Sequence, residues 1–251
     1  VSANFLYSDL QYDIPGGLNI DQYNENPRQA RPGNQFVQGS VESNAGIDQK
    51  YLLFGLTHNY EWTDRLSNQT TIYGDHSFFR NPFLFDYKRD SRMGGGGRTR
   101  FDYIANIGSV QTRFTLGGEY QTATNIARNY GNIEGEPGDL NFDDELRSTQ
   151  SLVFTRAELE LPEDFFLTVG VSRNHLNYDI NRLVDNNLDS AYRVAKNFDP
   201  VWIPRIGLTK QLNNIAFHGS VSYGFSPPTI EDVRTNEGSI NLDLAPEQGI
   251  N

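Results

Sequence analysis

The sequence lacks cysteine, contains one methionine, and has no apolar run close to the ~20 residues that a membrane-spanning helix requires. Without cysteine, a disulfide framework and a cysteine-based zinc site are excluded. The formal net charge of −11 argues against nucleic-acid binding, which requires clustered lysine and arginine. The mean hydropathy of −0.59 excludes a helical membrane protein. It does not exclude a membrane protein built of strands, because only alternate strand residues then face lipid.

Alternation of apolar and polar residues is the strongest regular feature of the chain. The sequence contains 13 tyrosines and 16 phenylalanines, spread through strand-like segments. In 215–225 the odd positions are mostly large and apolar, whereas the even positions are small or polar. A period of two places alternate side chains on opposite faces of a strand. The pattern therefore predicts strands with one apolar and one polar face.

About nine such strands are predicted. Most of them reach or exceed the ~9–11 residues with which a tilted strand crosses a bilayer. Strands of soluble sheets are shorter, at about 5–6 residues, so the lengths favour a membrane protein. The predicted strands are 1–12, 48–62, 67–79, 98–107, 110–125, 149–161, 165–178, 201–212 and 215–226.

The predicted connections alternate in length. Short turns are expected at 63–66, 108–109, 162–164 and 213–214. The intervening long polar segments are 13–47, 80–97, 126–148, 179–200 and 227 onward. This alternation is typical of outer-membrane barrels, whose short turns are periplasmic and whose long loops are extracellular. The sequence thus predicts an all-β fold, a fragment of an antiparallel transmembrane β-barrel. Because no signal peptide opens the chain and its end is abrupt, we expect it to be part of a longer protein.

Two segments resemble a known family. One comprises Tyr12-Asp13-Ile14-Pro15-Gly16-Gly17-Leu18, then Gln22-Tyr23, Asn26-Pro27 and Ala30-Arg31-Pro32. The other comprises Gly224-Phe225-Ser226-Pro227-Pro228-Thr229 and, further on, Leu242-Asp243-Leu244-Ala245-Pro246-Glu247. Both are similar to motifs of TonB-dependent receptors, most of all those of the Bacteroidetes type. Asn19 stands where the family usually has threonine, Ser226-Pro227 where it has Arg-Ala, and Ala245 where it has lysine.

The resemblance implies a barrel of 22 strands closed around a plug domain. Residues 1–251 would then be a partial barrel domain, with the plug, the TonB-box region and the remaining strands absent. It also implies a bacterial outer-membrane location, contact with outer-membrane lipid and lipopolysaccharide, and contact with the TonB complex through parts missing from this chain. The family imports ferric siderophores, haem, cobalamin and oligosaccharides. No enzymatic activity and no cofactor are implied.

Four arginines form the most notable charged cluster. They are expected in one long outer loop and at the top of the following strand, where guanidinium groups could bind an anionic ferric chelate. The alternatives are contact with anionic lipopolysaccharide and charge balance with Asp86, Asp90 and Asp102. The candidate ligand-binding residues are Arg89, Arg92, Arg98 and Arg100.

Other polar groups give weaker signals. The four histidines lie on different predicted strands without a metal-binding spacing, and no catalytic set is evident. Gly94–Gly97 lacks the residues of a phosphate-binding loop, and 143–145 lacks the spacing of a calcium loop. Five polar residues are expected to face the barrel lumen and pair with each other, with water or with a plug: Arg113, Glu119, Gln121, Glu158 and Arg205.

Three functional hypotheses follow. The first is TonB-dependent uptake of a metal chelate, of the ferric-siderophore type, because the outer loops carry arginine and no tryptophan-rich sugar platforms. The second is a passive porin-like channel or a SusC-type glycan importer. The third is a soluble β-rich domain that binds or hydrolyses carbohydrate, which would remain soluble without detergent.

Overall fold

The computed structural model describes residues 1–186, 191–234 and 239–251. In this part of the chain, eleven strands form one antiparallel sheet and two short helices lie in the connections. The strands are β1 (Ser2–Asp13), β2 (Gly46–Thr63), β3 (Leu66–Pro82), β4 (Asp86–Ile107), β5 (Val110–Ile133), β6 (Glu136–Leu161), β7 (Phe165–Asp185), β8 (Tyr192–Asn197), β9 (Val201–Leu212), β10 (Ile215–Ser226) and β11 (Glu247–Ile250). The helices are α1 (Ile20–Glu25) and α2 (Ile230–Val233).

Each strand pairs with a neighbour in chain order, so the sheet is a simple meander. The exception is at β7, whose residues 165–174 pair with β9 and whose residues 177–182 pair with the short β8. β8 therefore extends only one end of the sheet. Within the described residues, no helix has the length and apolar character needed to cross a membrane.

The fold class is confirmed. Eight of the nine predicted strands lie within observed ones, and the ninth, 1–12, matches β1 except at Val1. Three predicted loops are wrong in whole or in part. In 179–200, β7 continues to Asp185 and Tyr192–Asn197 form β8. Residues 80–97 and 126–148 mostly continue the strands, so β3 meets β4 at 83–85 and β5 meets β6 at 134–135. β4, β5 and β6 are thus 22, 24 and 26 residues long. The loop prediction relied on loss of apolar alternation, which marks the end of burial in lipid and not the end of the strand.

Positive φ angles occur in the tight turns between β4 and β5 and between β5 and β6. Gly108 has a φ of +65° in the predicted 108–109 turn. Glu134 and Gly135 have φ values of +51° and +89°, the pair of positive values that a type I′ hairpin requires. Glycine adopts this conformation without strain, which explains its place in these two hairpins.

The register gives the sheet two different faces. One face carries exposed large apolar side chains and is called the outer face. The opposite face is mostly polar and is called the inner face. The pairing places on the outer face Phe54, Ile72, Phe101, Leu116, Val153, Val169, Ile206 and Val221. The predicted alternation is therefore confirmed across the sheet.

The main buried core lies on the inner face, at the end away from the short turns. Its buried members are Ala127, Leu146, Leu176, Tyr178, Ile180, Phe198 and Val233. The segment after β10 packs against them through Ile230, Ile240, Leu242 and Leu244. We call residues 227–234 and 239–246 the strap. The predicted outer loop from 227 onward is a long connection in its described part, but it folds back over the inner face and is followed by the short β11, which was not predicted. Positions 187–190 and 235–238, which belong to the predicted long connections, lie outside the described residues.

The long connection between β1 and β2 contains α1, which begins with a capping box between Asn19 and Gln22. Ser40, Ser43 and Ala45 near its end are buried. The Asn132 side chain of β5 donates hydrogen bonds to the carbonyl oxygen of Ser43, at 2.8 Å, and to that of Phe83. This connection is therefore fastened to the far ends of β3 and β5.

Candidate ligand-binding site on the inner face

All four arginines of the predicted cluster lie on β4, not in a loop. Since side chains alternate along a strand, Arg92, Arg98 and Arg100 share the inner face, whereas Arg89 projects from the outer face. The structure thus brings three of the four together and separates the fourth. The three inner arginines are about half exposed, so their guanidinium groups remain accessible.

Glycines in the middle of β4 and β5 make room for aromatic side chains. A Cβ at Gly96 would come within 2.8 Å of the Tyr73 hydroxyl oxygen, because Tyr73 is its partner on β3. A Cβ at Gly117 would come within 2.5 Å of the Phe154 ring. The run 94–97, which falls in the predicted loop 80–97, is therefore a strand segment over which neighbouring aromatic rings can lie.

Tyr73 organises a hydrogen-bond network across β3, β4, β5 and β6. Its hydroxyl donates to Glu119 at 2.7 Å and to Gln121 at 3.2 Å. Gln121 in turn donates to Gln150 at 2.7 Å. Arg98 lies 3.6 Å from the Glu119 carboxylate, and its guanidinium is 5.1 Å from the centre of the Phe154 ring. The network fixes the orientation of donors and acceptors on an exposed surface.

The other two inner arginines also have acidic partners. Arg92 forms an ion pair with Asp75. Arg100 lies 3.3 Å from Asp102, which also accepts a hydrogen bond of 2.7 Å from Thr115. The three arginines are therefore matched by three carboxylates, and the predicted charge balance with Asp102 is observed. The site can offer directed hydrogen bonds to a polar ligand without a large excess of positive charge.

A pocket joins this network to the core under the strap. It is lined by Tyr73, Asp75, Arg92, Gly95, Gln121, Thr122, Ala123, Ser148, Gln150, Leu176 and Tyr178. The Tyr178 hydroxyl donates a hydrogen bond of 2.7 Å to the carbonyl oxygen of Pro228 in the strap. The strap therefore forms the upper boundary of the candidate site.

A buried ion network anchors the strap. Arg182 donates to Asp144 at 2.7 and 3.0 Å and to Asp185 at 2.9 Å. Arg234 of the strap donates to the same Asp144 at 2.6 Å. Asp144 and Arg182 are 0% and 1% exposed. Sequence reasoning missed this network, because its members are far apart in the chain and Asp144 falls in the predicted polar loop 126–148.

The short α2 helix of the strap has its own capping interactions. The Thr229 hydroxyl accepts a hydrogen bond from the backbone N–H of Asp232, and the Thr229 backbone N–H and hydroxyl both donate to the Asp232 carboxylate. Hydrogen bonds from the Thr229 backbone, and then from its hydroxyl, lower the pKa of Asp232 below its usual range. The strap therefore enters the helix with a defined geometry.

The remaining predicted polar residues take up separate positions. Arg113, Glu119, Gln121, Glu158 and Arg205 all lie on the inner face, as expected. Glu158 lies 3.4 Å from Arg156. The three members of the acidic run 143–145 do not share a face. Asp144 lies on the inner face, whereas its two neighbours lie on the outer face. In the described ranges, no group of three histidine, aspartate or glutamate side chains could hold a metal ion.

Comparison with protein families decides the identity of this sheet. The profile of the family described as TonB dependent receptor-like, beta-barrel, matches residues 1–251. The chain belongs to the TonB-dependent receptor family. In this family the outer face contacts lipid, the inner face lines the barrel lumen, and the protein resides in the bacterial outer membrane. No curated protein matches the sequence.

Solved structures of receptors share the fold. The chain is similar to the ferric citrate transporter FecA, with 13% identity, a TM-score of 0.75, and coverage of 89% of this chain and 33% of FecA. It is similar to the siderophore receptor PiuA from Acinetobacter baumannii, with 14% identity, a TM-score of 0.69, and coverage of 99% and 44%. It is also similar to the ferric-catecholate import receptor Fiu from E. coli K12, with 12% identity, a TM-score of 0.71, and coverage of 99% and 45%. The chain thus spans less than half the length of each of these three proteins.

Proposed function

We propose that this chain forms part of the barrel wall of a receptor that imports a metal chelate, of the ferric-siderophore type, with energy supplied through TonB. The match of the whole chain to the receptor barrel family is the observation that carries the proposal. FecA, PiuA and Fiu, which share this fold, transport ferric citrate, receive siderophores and import ferric catecholates, respectively. The plug and the contact with TonB would be supplied by the longer protein.

Within this function, we assign ligand contact to Arg92, Arg98 and Arg100. Their side chains project into the lumen from one strand, and each is about half exposed. The guanidinium groups have N–H donors beyond those used by their acidic partners, and such donors suit the oxygen atoms of a chelate. Tyr73, Gln121 and Gln150 add neutral hydrogen-bonding groups beside them. Arg89 is left out because it faces away from the lumen.

A passive channel is the second candidate, and one observation favours it. The strap packs on the inner face at the extracellular end, where an inward segment would narrow a pore. Energy dependence separates the two functions, since diffusion through a fixed constriction needs no TonB. Uptake of ⁵⁵Fe-loaded chelates by cells producing the full receptor should stop when TonB is deleted. Continued uptake in such cells would favour the passive channel.

Binding by the purified full receptor tests the site itself. Arg98→Gln should weaken binding of the transported chelate by about tenfold, the cost of a lost hydrogen bond to a charged group. Arg113→Gln is the matched control, because it also faces the lumen but lies nearer the short-turn end. Equal affinity of the Arg98 variant and the unaltered receptor would exclude Arg98 from the site.

A further inference from the structure

A row of charged side chains crosses five strands on the outer face. The register pairs Asp48 of β2 with Arg80 of β3, Arg80 with Arg89 of β4, Arg89 with Arg128 of β5, and Arg128 with Asp143 of β6. Three arginines are therefore direct cross-strand neighbours, with one aspartate at each end of the row. Like charges placed directly opposite each other destabilise a sheet unless another group compensates them.

The end arginines are compensated, but the central one is not. Arg80 forms an ion pair with Asp48, and Arg128 lies 3.0 Å from Asp143. Among the described residues Arg89 has no ion pair, and its Nε atom is buried without a hydrogen-bond partner. The Arg89 guanidinium is instead 5.2 Å from the ring centre of Tyr87 and 5.8 Å from that of Tyr130. Contact with aromatic rings holds the planar guanidinium group in place, while the N–H groups at its edge can still donate hydrogen bonds.

The row lies just beyond the lipid-facing part of the sheet. About ten residues of a tilted strand cross the apolar layer of a membrane. If this segment of β4 begins at Tyr103, near the short-turn end, it ends at Met93. Both side chains are exposed on the outer face, Met93 by 67%. Arg89 lies roughly 13 Å further along the strand, at about 3.3 Å per residue. That height corresponds to the headgroup region of the extracellular leaflet.

We propose that Arg80, Arg89 and Arg128 bind a phosphate group of lipopolysaccharide in the outer leaflet. A phosphate supplies the negative charge that the central arginine lacks, and guanidinium groups bind phosphate oxygens in a bidentate manner. Arg80 and Arg128 are 41% and 47% exposed, so a ligand at the membrane surface can reach them. A lipid phosphate is favoured over free inorganic phosphate, because the row lies next to the apolar part of the outer face, which includes Phe78 and Ile126.

The test uses the full receptor in nanodiscs made of phosphatidylcholine with a small fraction of lipopolysaccharide. Native mass spectrometry would measure the lipopolysaccharide bound per receptor. Arg89→Gln should lower the binding constant by about tenfold, because hydrogen bonds to a charged group are lost. The matched control is Arg193→Gln, which removes an exposed outer-face arginine that already has Asp179 as its partner. Arg89→Lys keeps the charge but not the bidentate geometry, so it should restore binding only in part.

Two results would overturn the proposal. One is an Arg89→Gln receptor that is folded, as judged by its heat-modifiable mobility, and binds as much lipopolysaccharide as the unaltered one. The other is displacement of the lipid by millimolar inorganic phosphate, which would mean that the row selects a free anion. Chelate binding should be unchanged in Arg89→Gln, so this test is independent of the proposed function.

Discussion

Gly96 and Tyr73 lie opposite each other across β3 and β4, and the Tyr73 ring occupies the space where a side chain at position 96 would project. A Cβ at Gly96 would lie 2.5 Å from the carbonyl oxygen of Tyr120 as well as 2.8 Å from the Tyr73 hydroxyl. Because Tyr73 bonds Glu119 and Gln121, this glycine allows the lumen network to form. The candidate site therefore depends on a residue that offers it no functional group.

Gly96→Ala is expected to destabilise the barrel by about 1–3 kcal/mol, the usual cost of forcing an extra group into a packed position. Chemical unfolding of the full receptor in detergent would measure the change. Gly97→Ala is the control, since its Cβ would make only ordinary contacts of 3.5–3.6 Å. If the two variants unfold alike, Tyr73 does not need the space above Gly96.

Removing the carboxylate that anchors the strap should release the strap. Asp144→Asn would remove the carboxylate to which Arg234 donates, and would weaken the interaction of the same side chain with Arg182. Breaking a buried ion pair in this way costs about 3–5 kcal/mol. Limited proteolysis of the folded receptor should then cut within the strap at a much higher rate.

Asp179→Asn serves as the control for this experiment, because its partner Arg193 is 70% exposed. Exposed ion pairs contribute about 0–1 kcal/mol, so the proteolysis rate should hardly change. A strap that remains protected in Asp144→Asn would show that the apolar core alone holds it in place.

A charge on the lipid-facing surface should hinder assembly. Val221→Arg places a guanidinium group on the outer face of β10, where a cationic residue costs about 2–4 kcal/mol near the middle of the bilayer. Ser220→Arg, one position away, projects into the lumen and should be tolerated. The folded fraction of each full receptor can be measured by heat-modifiable electrophoresis. Equal folded fractions would contradict the assignment of the two faces.

Asn132→Ala should loosen the connection between β1 and β2. The substitution removes side-chain hydrogen bonds to Ser43, Phe83 and Gly135, and leaves two carbonyl groups without this donor. The expected cost is about 1–3 kcal/mol, confined to one end of the barrel. Hydrogen exchange should therefore rise in residues 40–45 and stay unchanged in the membrane half of β5. Unchanged exchange in 40–45 would mean that other contacts fasten the connection.

Much of the membrane-embedded fold could be predicted from sequence, because lipid imposes a period of two on the residues that face it. The alternation in 215–225 gave β10 almost to the residue. Beyond the lipid-facing part of the sheet, the outer face no longer needs apolar residues. Both faces of β5 and β6 carry polar residues there, as at Arg128 and Asn129. Strand pairing continues there through backbone hydrogen bonds, which leave no compositional signal.

The candidate site was predictable only in part. The arginines of β4 stood out as a cluster. Their faces, however, depend on unbroken strand geometry through Gly94–Gly97, which was predicted to lie in a loop. The partnership of Tyr73 with Glu119 joins residues far apart in the chain and follows only from the register. The same holds for Asp144 and Arg234, which meet because the strap folds inward.

One face of this sheet contacts lipid and the other lines an aqueous lumen, and site-directed spin labelling can distinguish the two. These 251 residues contain no cysteine. Single cysteines introduced at 114–119 of β5 in the full receptor can therefore each carry a spin label, once any cysteine elsewhere in that protein has been replaced by serine. Collision with oxygen, which partitions into lipid, should peak at the even positions, including Phe114 and Leu116. Collision with a water-soluble nickel chelate should peak at the odd positions, including Thr115 and Glu119. Accessibility that does not alternate between the two reagents would contradict this assignment of the two faces.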